Sequence, residues 1–169
     1  MKKAGYVIHL KSCLGMIGVG YRENAVVCLH IGPSAQEKTD ETLQILGYEI
    51  QRESHPTGVI LKSELREYFE GKRRTFSIPP QFYGTPFQIH VWKTLCRVPY
   101  GKTLSYGELA ARSGRPKAAR AVGMIMGRNR IPIIVPCHRI LAADGSLGGF
   151  GCGLDVKKKL LQVEGSLAV

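Results

Sequence analysis

A chain of 169 residues that is 44% hydrophobic has material for one compact domain or two small ones packed together. No apolar run approaches the length of a membrane-spanning helix, which argues against that class of protein. The 24 Lys and Arg against 13 Asp and Glu leave a net charge of +11, an excess that favours a polyanionic partner. Nucleic acid stands ahead of a membrane surface, because no stretch joins a basic face to a strongly apolar one.

The five cysteines, Cys13, Cys28, Cys96, Cys137 and Cys152, show no CxxC pairing. That pattern speaks against a disulfide framework and for a reducing compartment. The first residues, Met1 to Gly5, are basic but lack an apolar core and a small-residue cleavage site. They read as the mature start of a cytoplasmic protein.

Tyr6–Leu10, Leu14–Val19 and Ala25–Ile31 read as three short strands, antiparallel because the turns between them are tight. Cys13, Cys28, His9 and His30 lack paired-ligand spacing and are assigned to sheet and core rather than to zinc. After Gly32-Pro33, Ser34 is placed as the cap of a polar helix running to about Leu46 and closed by Gly47. Tyr48–Arg52 adds a short strand. Leu61, Leu65 and Phe69, four apart, mark a helix ended by Gly71, and Lys72-Arg73-Arg74 is a solvated charge run.

Ser77–Gly84, with Pro79-Pro80, is unsuited to helix or central strand. The boundary is set there: a structural domain over 1–78, a connector over 79–84, and a second domain over 85–169. Thr85 followed by Pro86 signals an N-cap with proline at the first helical position, and Phe87, Val91, Leu95 and Val98 form its apolar stripe. Trp92 and Cys96 are given structural roles. Ser105–Ser113 and Ala118–Met126 are short helices joined by a turn through Gly114, a helix-turn-helix pattern. The second is rich in small residues, among them Ala119 and Gly123, with Arg120 between them, so its backbone can approach another surface closely. Gly148–Gly153 lacks the Lys-Ser/Thr of a phosphate-binding loop and suits close approach to a planar ligand. Asp155 is placed as the cap of a last helix through Leu160, Leu161 and Glu164.

The stretch Ile131–Val135 reads as a buried strand that ends in Pro136 and delivers Cys137, His138 and Arg139 to a surface cleft. A thiol flanked by Arg139, His138 and helix N-termini is expected to have a lowered pKa. A buried structural cysteine is the competing reading.

Taken together, Pro136-Cys137-His138-Arg139, preceded by Ser105-Tyr106, Arg120-Ala121-Val122-Gly123 and Asn129 and followed by Glu164, resembles the DNA O6-alkylguanine alkyltransferase family. The resemblance implies an α/β fold, with an RNase H-like N-terminal domain around the three-stranded sheet and a mostly helical, winged-helix-like C-terminal domain. It implies a single-turnover transferase, active without a cofactor or metal, that moves an alkyl group from O6-alkylguanine in duplex DNA to Cys137. O4-alkylthymine is a second candidate substrate.

By the same resemblance His138 acts on Cys137 through water and is oriented by Glu164, Tyr106 donates a proton to the departing guanine, and Asn129 ties the backbone before the cysteine. The damaged nucleotide has to leave the stack to reach a thiol. Arg120 is implied to fill the gap from a helix in the minor groove, with Ala119 and Gly123 against the groove. Lys117, Arg115 and Arg128 are candidate phosphate contacts. Tyr106, Pro136, Ile140, Phe150, Gly151 and Cys152 are expected around the base, with carbonyls near Cys137 and Ile140 receiving its exocyclic amine. A monomer bound to double-stranded DNA is the expected complex.

Three positions depart from the family pattern: Arg130 follows Asn129 where many members have proline, and Phe150 and Gly151 stand where some have tyrosine and serine. Cys152 falls at a position that varies with pocket size and is a second modifiable thiol. Two other readings compete. An alkyltransferase-like protein that binds lesions without chemistry lacks the cysteine that this chain has at 137. A cysteine hydrolase needs a base facing the thiol and turns over repeatedly.

Overall fold

The structure, a computed structural model, describes residues 1–167. It divides into two compact units, Met1–Gln81 and Phe82–Val169.

In the first unit β1 (Lys3–Ser12), β2 (Gly15–Arg22) and β3 (Ala25–Ile31) form the antiparallel meander that their tight turns require. The helix α1 (Ala35–Ile45) then crosses over, so that β4 (Tyr48–Gln51) joins as a fourth strand parallel to β1, in the order β3-β2-β1-β4. Ser34 stands at the N-cap of α1, but its side chain makes no capping bond, contrary to its sequence assignment.

Gly18 and Gly20 let α1 settle against the sheet; a Cβ on Gly18 would sit 2.5 Å from Thr39 Oγ1 and 2.7 Å from the Ala35 carbonyl. The opposite face carries Ile8 and Tyr21 and meets α2 (Pro56–Phe69) at Gly58. In α2 the fully buried side chains are Leu61, Leu65 and Tyr68, while Phe69 is only half-buried. The basic run after it is partly paired: Arg73 bridges Glu67 at 2.8 Å and Glu64 at 3.3 Å. Pro79 and Gln81 exchange backbone hydrogen bonds with Val26 on the outer strand β3, where a proline without an N–H is tolerated.

The second unit opens with α3 (Pro86–Leu95), whose Thr85 and Gln88 form a reciprocal capping box. Trp92 is buried and donates Nε1–H to the Ile125 carbonyl at 3.2 Å. A two-residue strand, β5 (Leu104–Ser105), leads into α4 (Tyr106–Arg112), again started by a capping box, between Ser105 and Glu108. After Gly114 (φ 80°) the chain enters α5 (Ala119–Gly127), which buries Val122, Ile125 and Met126 and leaves Arg120 and Met124 exposed, as is Arg128 at its C-cap.

β6 (Ile140–Leu141) pairs in parallel with β5, Leu104 opposite Ile140 and Ser105 opposite Leu141. The last helix, α6 (Leu154–Val163), starts from Gly153 at φ 98°. Asp155 lies in its first turn and does not cap it. Among the described residues no helix is long and apolar enough to cross a membrane, and no group of three His, Cys, Asp or Glu side chains is gathered to hold a metal ion.

Candidate active site

The approach to Cys137 is not the strand that the apolar run suggests. Pro132 and Pro136 each lack an N–H, and Ile133 takes a left-handed φ of 74°, a costly conformation for a β-branched residue. The segment curls so that the Val135 N–H reaches the Ile131 carbonyl at 2.9 Å, and Cys137–Arg139 form a single 3₁₀ turn. Asn129 supplies what a sheet neighbour would have given. Its Oδ1 accepts from the Ile131 N–H at 2.9 Å, and its Nδ2 donates to the Val135 carbonyl at 2.8 Å and lies 3.1 Å from Cys137 Sγ.

Behind the thiol lies a buried ionic cluster. Glu164, at the C-cap of α6, accepts from His138 Nε2 at 2.7 Å, from Arg139 Nε and Nη2 at 2.9 Å each, and from the Gly101 N–H at 3.2 Å. Arg139 also donates Nη1–H to the Val98 carbonyl at 2.6 Å. Burial alone would favour a neutral Glu164, but the hydrogen bonds from His138 and Arg139 overcome it and hold the carboxyl well below the usual range. His138 is fully buried, and that burial lowers its pKa against the attraction of Glu164. With Nε2–H given to the carboxylate, Nδ1 carries the lone pair. That nitrogen is buried without a hydrogen-bond partner among the described residues.

Cys137 is 7% exposed, and burial pushes its thiol up to about 11, against the lowering effects of Asn129 and Lys157. This corrects the expectation of a lowered pKa. Arg139 is spent on Glu164 and Val98, and a three-residue turn replaces the helix end that would have favoured a thiolate. At rest the sulfur is therefore a protonated thiol.

It is nevertheless not sealed in the core. Cys137 lines a small open pocket of about 170 Å³ together with Tyr106, Gly123, Met126, Gly127, Gly149, Phe150 and Gly151. Tyr106 enters it from the first turn of α4, which the β5–β6 pairing sets beside the segment after Cys137. Burial, foremost, raises the pKa of its phenol. Of the other residues expected around the base, Pro136 and Ile140 are buried outside the lining, and Cys152 is half-buried beside it. The Ile140 carbonyl already accepts from Lys157 Nζ at 2.6 Å, which leaves it one further lone pair.

On α5, Gly123 faces the pocket, Arg120 is exposed and Ala119 is half-buried; Lys117 before the helix and Arg128 at its C-cap are exposed. Arg115 lies over the Phe87 ring at 4.1 Å, a cation–π contact that already occupies its guanidinium face. The residue that sequence reasoning missed is Lys157. Its signal was its place at the i, i+3, i+4, i+7 spacing with Leu160, Leu161 and Glu164, all buried on one stripe of α6.

A helix-turn-helix unit with a buried Pro-Cys-His-Arg turn at a pocket defines a class, and the family model for the 6-O-methylguanine DNA methyltransferase DNA binding domain matches residues 86–166. The methylated-DNA–protein-cysteine methyltransferase, constitutive, of Bacillus subtilis is 38% identical over 160 residues, 94% of each chain. That of Methanosarcina mazei is 50% identical over 104 residues, spanning 62% of this chain and 66% of the relative. The crystal structure of Mycobacterium tuberculosis O6-methylguanine methyltransferase superposes with a TM-score of 0.81 at 34% identity, covering 98% of this chain and 95% of that one. That organism's OGT in complex with DNA gives 0.79 at 34% identity, over 95% and 93%. The chain belongs to the methylated-DNA–protein-cysteine methyltransferase family.

Proposed function

We propose that the protein repairs DNA by transferring the alkyl group of O6-alkylguanine, once and irreversibly, to Cys137 Sγ. One observation carries the residue assignment: a thiol otherwise buried opens onto a pocket walled by Tyr106 and the glycine-rich loop and bordered by α5. The thiol proton passes through a bridging water to the unpartnered Nδ1 of His138, whose other nitrogen Glu164 orients. The Sγ–C bond forms as the O6–C bond breaks, and the electron pair of the broken bond goes to guanine. Tyr106 provides the proton that neutralises the departing base. The product is a thioether, without the carbonyl that lets water regenerate a cysteine hydrolase.

DNA is the partner. Its damaged nucleotide turns out of the duplex into the pocket, and α5 lies in the minor groove with Arg120 filling the gap. Lys117 and Arg128 contact phosphates, and Arg115 does so from its place on Phe87. Residues 85–169 carry this chemistry, 1–78 serve as a scaffold, and the protein acts as a cytoplasmic monomer.

The test is incubation with excess O6-methylguanine duplex and mass mapping of the methylated peptide. The expected result is one lesion lost per molecule, with the methyl group on Cys137. Tight binding without loss indicates a lesion-binding module, and continued release of product indicates a hydrolase. Cys137→Ala should bind DNA and repair nothing; repair at normal stoichiometry would move the acceptor to Cys152.

A further inference from the structure

The helix α5 borders a second recess besides the thiol pocket. At 3.6 residues per turn, Gly123, Met126 and Gly127 fall on the flank that lines the thiol pocket, and Ala121 and Ile125 fall on the opposite one, with Arg128 at the C-cap on their side. Arg120 and Met124, one turn apart, stand on the exposed ridge between the two flanks. The second flank lines a recess of about 190 Å³, which Phe87 and Gln88 from the first turn of α3 also line. It shares no lining residue with the thiol pocket.

The floor of this recess is apolar and its rim is cationic. Phe87, Ala121, Met124 and Ile125 supply the carbon surface, and Met124 leaves it open, being 62% exposed. An exposed thioether chain is flexible enough to pack on an irregular partner. Arg128 belongs to the lining, Arg115 lies over the Phe87 ring at 4.1 Å, and Arg120 stands on the adjoining ridge. Among the described residues none of these three cations forms an ion pair, and no carboxylate lines the recess. Gln88 Oε1 already accepts from the Thr85 N–H at 3.0 Å, so its NH₂ is the end left to donate.

Carbon surface beside unpaired cations and an amide donor suits a sugar–phosphate chain, whose deoxyribose packs on the floor while phosphate oxygens take the rim. We propose that this recess is a second DNA subsite, which seats the backbone of the undamaged strand opposite the lesion. The two walls of a minor groove belong to the two strands, so a helix lying in it turns one flank to each. The flank with the thiol pocket takes the strand whose nucleotide turns out. The flank with the recess therefore meets the partner strand. Met124 packs on a sugar there, and Arg128 and Gln88 donate to phosphate oxygens. Arg120 then fills the gap between strands held by opposite flanks, and the stack opens against a fixed partner strand.

This inference rests on α5 lying in the minor groove with the lesion nucleotide in the thiol pocket. That reading is judged apart from it, by wild-type transfer to Cys137 and by the contrast between duplex and free base for Arg120→Ala.

The experiment compares the full wild-type chain with Met124→Glu and Met124→Gln, both good helix formers at an exposed position. The lesion is offered in a duplex and in the same oligonucleotide as a single strand, and affinity and single-turnover transfer are read on each. Met124→Glu sets a carboxylate against a phosphate, and the ratio of duplex to single-strand affinity should fall at least about tenfold. Met124→Gln, which loses only the sugar contact, should lower the same ratio less. In a second arm, phosphates of the undamaged strand facing the lesion are replaced by neutral methylphosphonates. Wild-type affinity should fall, and the slope of log K against log salt should drop by about one for each contacted phosphate. The same replacement should matter less to Arg128→Ala, which has already lost one phosphate partner.

Equal losses on duplex and single strand in Met124→Glu would overturn the proposal. So would wild-type binding indifferent to methylphosphonates in the undamaged strand. A protein that sediments as a dimer without DNA, and as a monomer in Met124→Glu, would also overturn it, since the recess would then seat a second copy of the chain.

Discussion

Asn129 and Cys137 are joined by one amide: Nδ2 of Asn129 lies 3.1 Å from Cys137 Sγ while it also donates to the carbonyl of Val135. The other end of that amide accepts from the Ile131 N–H. A single side chain thus fixes a turn that contains a left-handed Ile133 and presents a donor to the sulfur at its end. The donor favours the thiolate, against the burial that disfavours it.

Replacing Asn129 by alanine should therefore lower stability and reactivity together. Two backbone groups of the turn lose their partner, at a cost of about 1–3 kcal/mol for each one left buried and unsatisfied. The thiolate fraction should fall as well, so methyl transfer slows even below the unfolding temperature. Urea unfolding and single-turnover transfer on the same sample measure both. A variant that is destabilised yet transfers at the wild-type rate would show that Asn129 serves the turn alone.

Glu164 gives a prediction in pH. Its carboxyl is held below the usual range despite burial, so its contribution to stability is present above the unfolded value of about 4.3 and is lost as pH falls towards the lower folded value. His138 acts in the same direction: its folded pKa is lowered by burial, so below about pH 6.5 the unfolded chain takes up a proton that the folded one refuses. Stability should fall progressively on acidification from about pH 6.5. Glu164→Gln leaves Arg139 without its anion and should cost about 3–5 kcal/mol at neutral pH. It should also flatten the acid limb of the curve, as denaturant midpoints measured across pH would reveal.

Much of this arrangement was legible in the residues because it is local. The capping signal of Thr85-Pro86, the glycine stop at Gly114 and the tight turns of β1–β3 act within a few positions. The ordered set from Tyr106 to Glu164 marked the family because the chemistry fixes the residue types. What could not be read was long-range. The parallel docking of β4 depends on α1 packing over Gly18 and Gly20, and the shape of Ile131–Pro136 depends on the side chain of Asn129. The thiol's raised pKa follows from burial, which flanking charges in the sequence do not report. Lys157 was missed because a lysine is ordinarily solvent-facing, and only the apolar stripe it interrupts on α6 betrays it.

The glycine loop supplies a contrast between two alanine substitutions. Gly148 has φ 67°, and a Cβ there would come within 3.2 Å of the Tyr106 hydroxyl and 3.3 Å of its ring. Gly148→Ala should cost about 1 kcal/mol in backbone strain and push Tyr106 off its position, slowing transfer. Gly123, in the middle of α5, offers ordinary contact at 3.8 Å to the same ring. Gly123→Ala should fold with unchanged or slightly raised stability, since alanine favours a helix interior by up to about 1 kcal/mol. Thermal unfolding of both variants, with transfer from the free base, separates strain from crowding.

Arg120 tests whether α5 works on the duplex rather than on the base. It is exposed on a helix whose other face is buried, and it is not among the residues lining the pocket. Its removal should leave the thiol, the ionic cluster behind it and the pocket as they are. Arg120→Ala is therefore expected to transfer from O6-methylguanine duplex at least about tenfold more slowly, the loss of one charged contact made while the base is extrahelical. Transfer from the free modified base, which has no stack to leave, should change far less. The comparison is a ratio of two rates on one preparation, so partial unfolding cancels. If both rates fall together, Arg120 supports the pocket, and the role of holding the opened duplex passes to another residue of α5.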